Sequence, residues 1–516
     1  MWTGLYSAMR FRFNRQLRIV LTALLLAASA FSQTTSNRIR FKVTVEPGAT
    51  DAPVSGRLLV LMTTRKPESG TIEPGFGKEA NSVWIAAREV RRVPPGATID
   101  LDPDEKAFPA PFSKAPAADY YVMAMLDTDH NAAYNAISPG DLKMTPVHIR
   151  SLDPATAGVV PLLLTRTVTA GPVILPQRAE RVDFVSPALS NFWSRTMHMI
   201  SIVVLPPSYA TSSQRYPTVY VNHGFGANIH NLADMAAKFQ HDMTESHSPE
   251  MIYVLLLQQC PGGTHEFADS ANNGPWGEAL TKELIPYLES KYRMDAKPQG
   301  RLLTGHSSGG WATAWLQVTY PEVFGGAWAT SPDPVDFRSF AGLDLTATPP
   351  QNFFHKPDGS PRMIVRVAGK DVESLEEYTR QEAVLGDYGG QFESFEWVFS
   401  PRGADGRPAK LFNRASGEID SAVAAYWERY DISRIVKTHW KALAPNLDGK
   451  LHVFVGTSDT FHLDESVRLL EGVMKELGAK ADFTYLEGRD HFNLYKSGLS
   501  EKIAREMYAV ARPNAK

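Results

Sequence analysis

Residues 302–312 read LLTGHSSGGWA, an apolar run that breaks into two serines set among three glycines. Within it, Gly305-His306-Ser307-Ser308-Gly309 fits G-x-S-x-G, and the residues on either side differ in kind. Residues 301–304 read as a buried strand, and a helix is expected from about 309. A serine at the head of a sharp strand-to-helix turn needs small neighbours, because the turn brings backbone segments close together. The helix that follows also offers N–H groups to an anion. The pattern therefore nominates Ser307 as a nucleophile and the N–H of Ser308 as an oxyanion donor.

A serine hydroxyl is a weak nucleophile at neutral pH and needs a base, which in turn needs an acid to orient it. On a turn of this kind the order expected along the chain is serine, acid, histidine. The segment LHVFVGTSDTFHLDESVRLLEGVMKELGAKADFTYLEGRDHFNLY supplies both partners. A strand over 451–455 ends at Gly456 with Asp459 just beyond it. A helix over 465–477 and a strand over 482–486 follow, then Gly488 and His491. Both candidates thus fall past the carboxyl ends of strands, on the edge where Ser307 sits. Asp371 is the rival acid, since MIVRVAGKDVESLEEY repeats the strand-Gly-Asp-helix layout, although no histidine closes that segment. Asp464 reads as the N-cap of the helix starting at Glu465. Asp490 is too close in sequence to orient His491. Among the other histidines, His306 adjoins the nucleophile and cannot easily turn back onto it, and His462 reads as a loop residue. His223 lies in NHGFG (222–226), whose Phe225 or Gly226 amide is the candidate for a second oxyanion donor.

Around these motifs, MISIVVLPP, YPTVYVNHG, MIYVLLLQ and GRLLTGH are near-continuous apolar runs, as expected of strands buried on both faces. Helical stretches alternate with them, as in 276–293, where Leu280, Leu284, Ile285 and Leu288 recur at helical spacing. Residues 180–516 are therefore expected to form an α/β domain with a mainly parallel sheet. Within it, 332–445 holds the strand RMIVRVAG (362–369) and many aromatics, part of it continuing the sheet and part forming an insertion or cap. Residues 33–175 instead show short β-branched runs between Pro- and Gly-rich turns and no helical period, the pattern of a small all-β sandwich. Its DTDHN (127–131) resembles the opening of a helix-loop-helix calcium loop. That match fails where Ala132 and Ser138 stand in place of the required glycine and glutamate, leaving a polar turn.

The 516 residues carry 43% hydrophobic and 21% charged side chains with a net charge of -3, which reads as globular and argues against a nucleic-acid partner. Arginines at 10, 12, 15 and 18 precede the apolar run 19–30, which ends in Ala28-Ser29-Ala30. This is the layout of a secretory signal peptide over 1–30, tidier still if translation starts at Met9. Export to the periplasm or outside the cell is therefore expected, with no stable membrane anchor after cleavage. The lone cysteine, Cys260, allows no intramolecular disulfide and reads as an apolar filler.

With these elements assembled, residues 185–516 resemble the putative-esterase family of α/β hydrolases, which includes enterochelin esterases, feruloyl esterases, esterase D and mycolyltransferases. The resemblance rests on VNHGFG, on ADSANNGPWGEALTKELIPYLESKYR leading into RLLTGHSSGGWA, on VGTSD and on GRDHF. It implies an α/β-hydrolase fold with Ser307 as nucleophile, Asp459 as acid and His491 as base, and no cofactor or metal. A β domain ahead of the hydrolase is similar to the enterochelin-esterase arrangement. The function expected is that of an exported serine esterase acting on a small-molecule or polysaccharide-linked ester. Acyl transfer to a sugar or lipid hydroxyl, and non-catalytic binding on a hydrolase scaffold, are the alternatives.

Overall fold

A computed structural model describes residues 37–514, apart from 69, 76–81 and 387. The signal segment expected over 1–30, and Met9, lie outside the described residues.

The N-terminal part is built from two sheets that share one core. Strand Arg40–Val45 lies between Thr98–Leu101 and Val159–Leu164 in a three-stranded sheet. Its alternation buries Phe41, Val43 and Val45 while Lys42 faces solvent. The seven-stranded sheet is centred on Val54–Thr63, paired with Val83–Val93 on one side and Ala118–Asp127 on the other. Leu58 to Met62 are buried without alternation. One reason lies in the other part of the chain: Val384 and Leu385 join the same core, so the sandwich is covered from outside by a helix over Leu375–Leu385. Buried Arg57 fastens this contact by donating to the carbonyls of Ala383 at 3.2 Å and Val384 at 3.3 Å.

The second part is an α/β-hydrolase fold. Its sheet consists of β1 (Ala179–Val185), β2 (His198–Val204), β3 (Thr218–Asn222), β4 (Ile252–Leu256), β5 (Arg301–His306), β6 (Gly326–Thr330), β7 (Leu451–Gly456) and β8 (Asp482–Leu486). The spatial order is β1-β2-β4-β3-β5-β6-β7-β8. The pairs β1/β2 and β2/β4 are antiparallel, and every pair from β4 to β8 is parallel. The central strands β3 and β4 are buried throughout because helices cover both faces. Helix Ile229–Thr244 and the C-terminal helix Leu499–Ala511 pack on one face. The segment 276–291, α1 (Ser308–Thr319) and α2 (Leu463–Glu476) pack on the other.

Two sequence expectations need correction here. The strand within 362–369 adds nothing to the main sheet: Met363–Val367 turns back at Gly369, whose φ is +74°, and pairs with Lys370–Ser374 as a separate hairpin. In the sheet β6 therefore neighbours β7 directly, and the whole intervening region is an excursion from it. Its aromatics form a packed cluster in which Phe337, Phe340, Phe399 and Trp427 meet edge-on or tilted. Cys260 is half-buried rather than a core filler. Strand β4 stops at Leu256, so the cysteine falls in a short ribbon pairing 259–260 with 263–264, off the sheet.

Candidate active site

Ser307 stands between β5 and α1 with φ 60° and ψ -127°, a conformation a non-glycine residue adopts only under strain. The surrounding packing enforces it. The Ser307 N–H donates to the Thr330 carbonyl at 3.1 Å, and its own carbonyl accepts from Gly310 and Trp311. A methyl group at Gly305 would strike the Gly309 carbonyl, and one at Gly309 would strike that of Asn222. Both glycines of G-x-S-x-G are thus required by close backbone approach at the β3–β5 junction. Gly224 of the HGFG turn is less tightly constrained, though a side chain there would press on the His306 carbonyl and the Ser307 Cβ.

Asp459 and His491 lie together beyond β7 and β8. Both are buried, and His491 Nδ1 lies 3.0 Å from Asp459 Oδ2. The two loops are stitched to each other. Ser458 N donates to the Arg489 carbonyl at 3.0 Å and Gly488 N to Thr457 Oγ1 at 2.9 Å. Gly456 leaves no room for a side chain against the Arg489 carbonyl. The second Asp459 oxygen accepts from Phe461 N at 3.0 Å. Burial alone would raise this carboxyl, but the charge and hydrogen bond of His491 and the Phe461 amide hold it below its usual value. An acceptor facing Nδ1 places the neutral imidazole's proton there and leaves Nε2 as the basic nitrogen.

The rival acid lies elsewhere. Asp371 is half-exposed on the second strand of the 363–374 hairpin, 3.2 Å from His462 Nε2. The same hairpin has a different bearing on Asp459: Arg366 Nε donates to its carbonyl at 2.6 Å. Asp464 is not the N-cap of α2, a place taken by His462 in the left-handed region. Asp464 sits in the first turn instead, paired with Arg366 at 2.7 Å. Asp490 caps its own turn by accepting from the Phe492 and Asn493 amides. His306 lies with its ring 4.4 Å from that of His491, and burial first, then that neighbour, pushes it down to about 3, so it stays neutral. His223 is buried beneath the HGFG turn, where Nε2 accepts from Gln258 N at 2.7 Å and Nδ1 donates to the Gly224 carbonyl at 2.7 Å.

Phe225, Gly226, Ser307 and His491 line one cavity of about 620 Å³. The N–H of Ser308 is among the first of α1, which helix bonding leaves without a partner. The far wall comes from the N-terminal part: the Tyr134 ring meets Phe225 edge-on at 4.7 Å, and its hydroxyl donates to the Ala227 carbonyl at 3.0 Å. A second, largely apolar cavity of about 60 Å³ runs from Ser307 past Asp333 to Phe340, Phe392 and Phe461.

Asp333 was not singled out from sequence. It is buried just beyond β6, where it accepts from Ser308 Oγ at 2.6 Å, Gln391 Nε2 at 3.2 Å and Ser307 Oγ at 3.4 Å. The Ser307 hydroxyl is therefore turned toward Asp333. The available signal was SPDPVDF, an acid a few residues past a buried strand on the same sheet edge as Ser307. Burial pushes the Asp333 carboxyl up to about 6 from an ordinary 3.8. Between those pH values the native state holds a proton that the unfolded chain releases, so stability falls as pH rises through the window. Above it the full cost, about 3 kcal/mol, is present. Asp333→Asn is thus expected to be the more stable protein in urea above pH 7 and to lose that advantage below pH 4. Equal midpoints for both proteins at pH 8 would contradict this reading.

The chain matches the family model described as Putative esterase over residues 194–501. Among individual proteins it is 27% identical to the uncharacterized protein YbbA of Bacillus subtilis over 132 residues, 23% of this chain and 51% of that protein. It is also 27% identical to Esterase Rv1288 of Mycobacterium tuberculosis over 143 residues, 27% of this chain and 30% of the other. The matched stretch thus spans about half the length of one relative and less than a third of the other. Similar solved structures include a ferulic acid esterase (TM-score 0.40, 15% identity, 64% of this chain and 98% of that one). Another is an S-formylglutathione hydrolase from Agrobacterium tumefaciens (TM-score 0.38, 15% identity, 64% and 94%). No helix among the described residues is long and apolar enough to cross a membrane. With the family model covering more than half of its length, the chain belongs to the Putative esterase family of α/β hydrolases.

Proposed function

We propose that this protein is an exported serine esterase that cleaves carboxylic esters through Ser307, His491 and Asp459. The observation that carries this reading is the conjunction at one cavity of a strained serine at the β5–α1 turn and a buried His491–Asp459 pair at 3.0 Å. The hydroxyl first turns from Asp333 to His491. Its oxygen then bonds to the ester carbonyl carbon as its proton passes to Nε2. The oxyanion that forms is met by the Ser308 N–H and by the amide of Phe225 or Gly226. Collapse breaks the ester C–O bond, His491 returns the proton to the leaving alcohol, and water releases the acyl group by the reverse route.

The two cavities divide the substrate. His491 lines the large one and not the small one, and the leaving alcohol must lie beside the imidazole that protonates it. The alcohol portion therefore occupies the large cavity and the acyl portion the small one, which has room for about five water-sized groups. On purified protein, 4-nitrophenyl acetate is expected to be cleaved with a kcat/KM at least about tenfold above that of 4-nitrophenyl decanoate. The acetylated 4-nitroaniline should remain intact. Absence of hydrolysis across such a series would overturn the esterase reading, and a preference for the long chain would reverse the assignment of the cavities.

A further inference from the structure

Asp127 ends the strand Ala118–Asp127, and Asp141 directly precedes the strand residues Leu142–Lys143. These strands pair antiparallel, with Leu126 opposite Leu142, so the next step of the register sets Asp127 opposite Asp141 at the mouth of the loop between them. Both side chains are buried, at 0% and 1% exposure. Like charges facing across a ladder repel, and burial strengthens the repulsion. Asp129 adds a third carboxylate, and the three place oxygens within 4.8 Å of one another. Among the described residues, no lysine or arginine is ion-paired with any of them.

The Asp141 oxygens accept from Thr128 N at 2.9 Å and Ser138 N at 2.7 Å, which fixes its orientation. Asp127 Oδ2 accepts from Ala132 N at 2.9 Å, whereas Asp127 Oδ1 is buried with no hydrogen-bond partner. A buried carboxylate oxygen with no donor, set among two further carboxylates, is the arrangement a hard cation satisfies. An all-oxygen donor set gathered this closely is the kind calcium takes, at ligand distances of about 2.3–2.6 Å.

We propose that Asp127, Asp129 and Asp141 bind a divalent cation of calcium's size, with backbone carbonyls or water completing its oxygen shell. The site owes nothing to the twelve-residue helix-loop-helix pattern, because its third acid arrives from the far end of the hairpin loop. Its position gives it a consequence for the neighbouring cavity. The loop it closes carries Tyr134, which packs on Phe225 and bonds the Ala227 carbonyl. A bound cation fastens this wall to the sandwich beneath it.

The test uses full-length mature protein stripped with EDTA and passed into metal-free buffer at neutral pH. Addition of millimolar CaCl2 is expected to raise the melting temperature by about 3 °C or more and to give a saturable heat of binding in calorimetry. Asp129→Asn keeps the fold, since that side chain is exposed and its bonds to Asn131 lie within the loop. It should weaken calcium binding by about tenfold or more, as expected when a charged ligand is lost. Asp127→Asn should abolish the calcium-dependent shift. A wild-type protein that neither binds calcium nor gains stability from it would overturn the proposal. So would an Asp129→Asn protein that binds calcium as the wild type does.

Discussion

Ser307→Ala is expected to lower kcat for ester hydrolysis by about 10⁴–10⁶, with the melting temperature unchanged. The size follows from what is lost: without a hydroxyl no acyl-enzyme can form, and only water positioned by the rest of the site can attack. Stability should hold because the strain at φ 60° belongs to the backbone and is the same for alanine. The turn itself depends on Gly305 and Gly309, which the variant retains. Hydrogen bonds to Asp333 from Ser308 and Gln391 also survive, so the buried carboxylate stays partnered. A variant retaining more than about a tenth of wild-type kcat would place the nucleophile elsewhere, since loss of a covalent nucleophile costs far more than that.

Asp459→Asn is expected to cost about 10³–10⁴ in kcat, and Asp371→Asn less than about twofold. The contrast comes from partners. Asp459 is buried and accepts from His491 Nδ1, so an amide in its place would present an N–H where an acceptor is needed and turn the imidazole to the wrong tautomer. Asp371 is half-exposed and faces His462, not His491. A large loss at Asp371 with little at Asp459 would overturn the assignment. Asp333 cannot easily stand in as the acid, because it faces the two serine hydroxyls and Gln391.

Much of this site was legible in the chain because its parts obey local rules. G-x-S-x-G marks a turn whose backbones nearly touch, and Gly305 and Gly309 are where they do so. Asp459 and His491 each follow a buried strand of unmistakable composition, so sequence could place them on one sheet edge. What it could not supply were contacts made across long separations. Asp333 reaches Ser308 only because β5 and β6 are neighbours, a fact of topology. Tyr134 reaches the cavity from the preceding sandwich, and nothing in a polar loop announces that contact. The hairpin after Met363 looked like another sheet strand because its composition is the same, and Gly369 turns it back before it can join the sheet. Asp464 fits an N-cap by composition, but Arg366, almost a hundred residues earlier, pairs with it instead.

The most direct measurement is covalent. Purified protein treated with a fluorophosphonate, digested and mapped by peptide mass spectrometry should carry one phosphonyl group on the peptide containing residues 302–312, at Ser307. His491→Ala should be labelled at a rate lower by at least about 10²-fold, since the nucleophile then lacks its base. Failure of the wild-type protein to label, or a label on any residue other than Ser307, would contradict the assignment of Ser307 as the nucleophile.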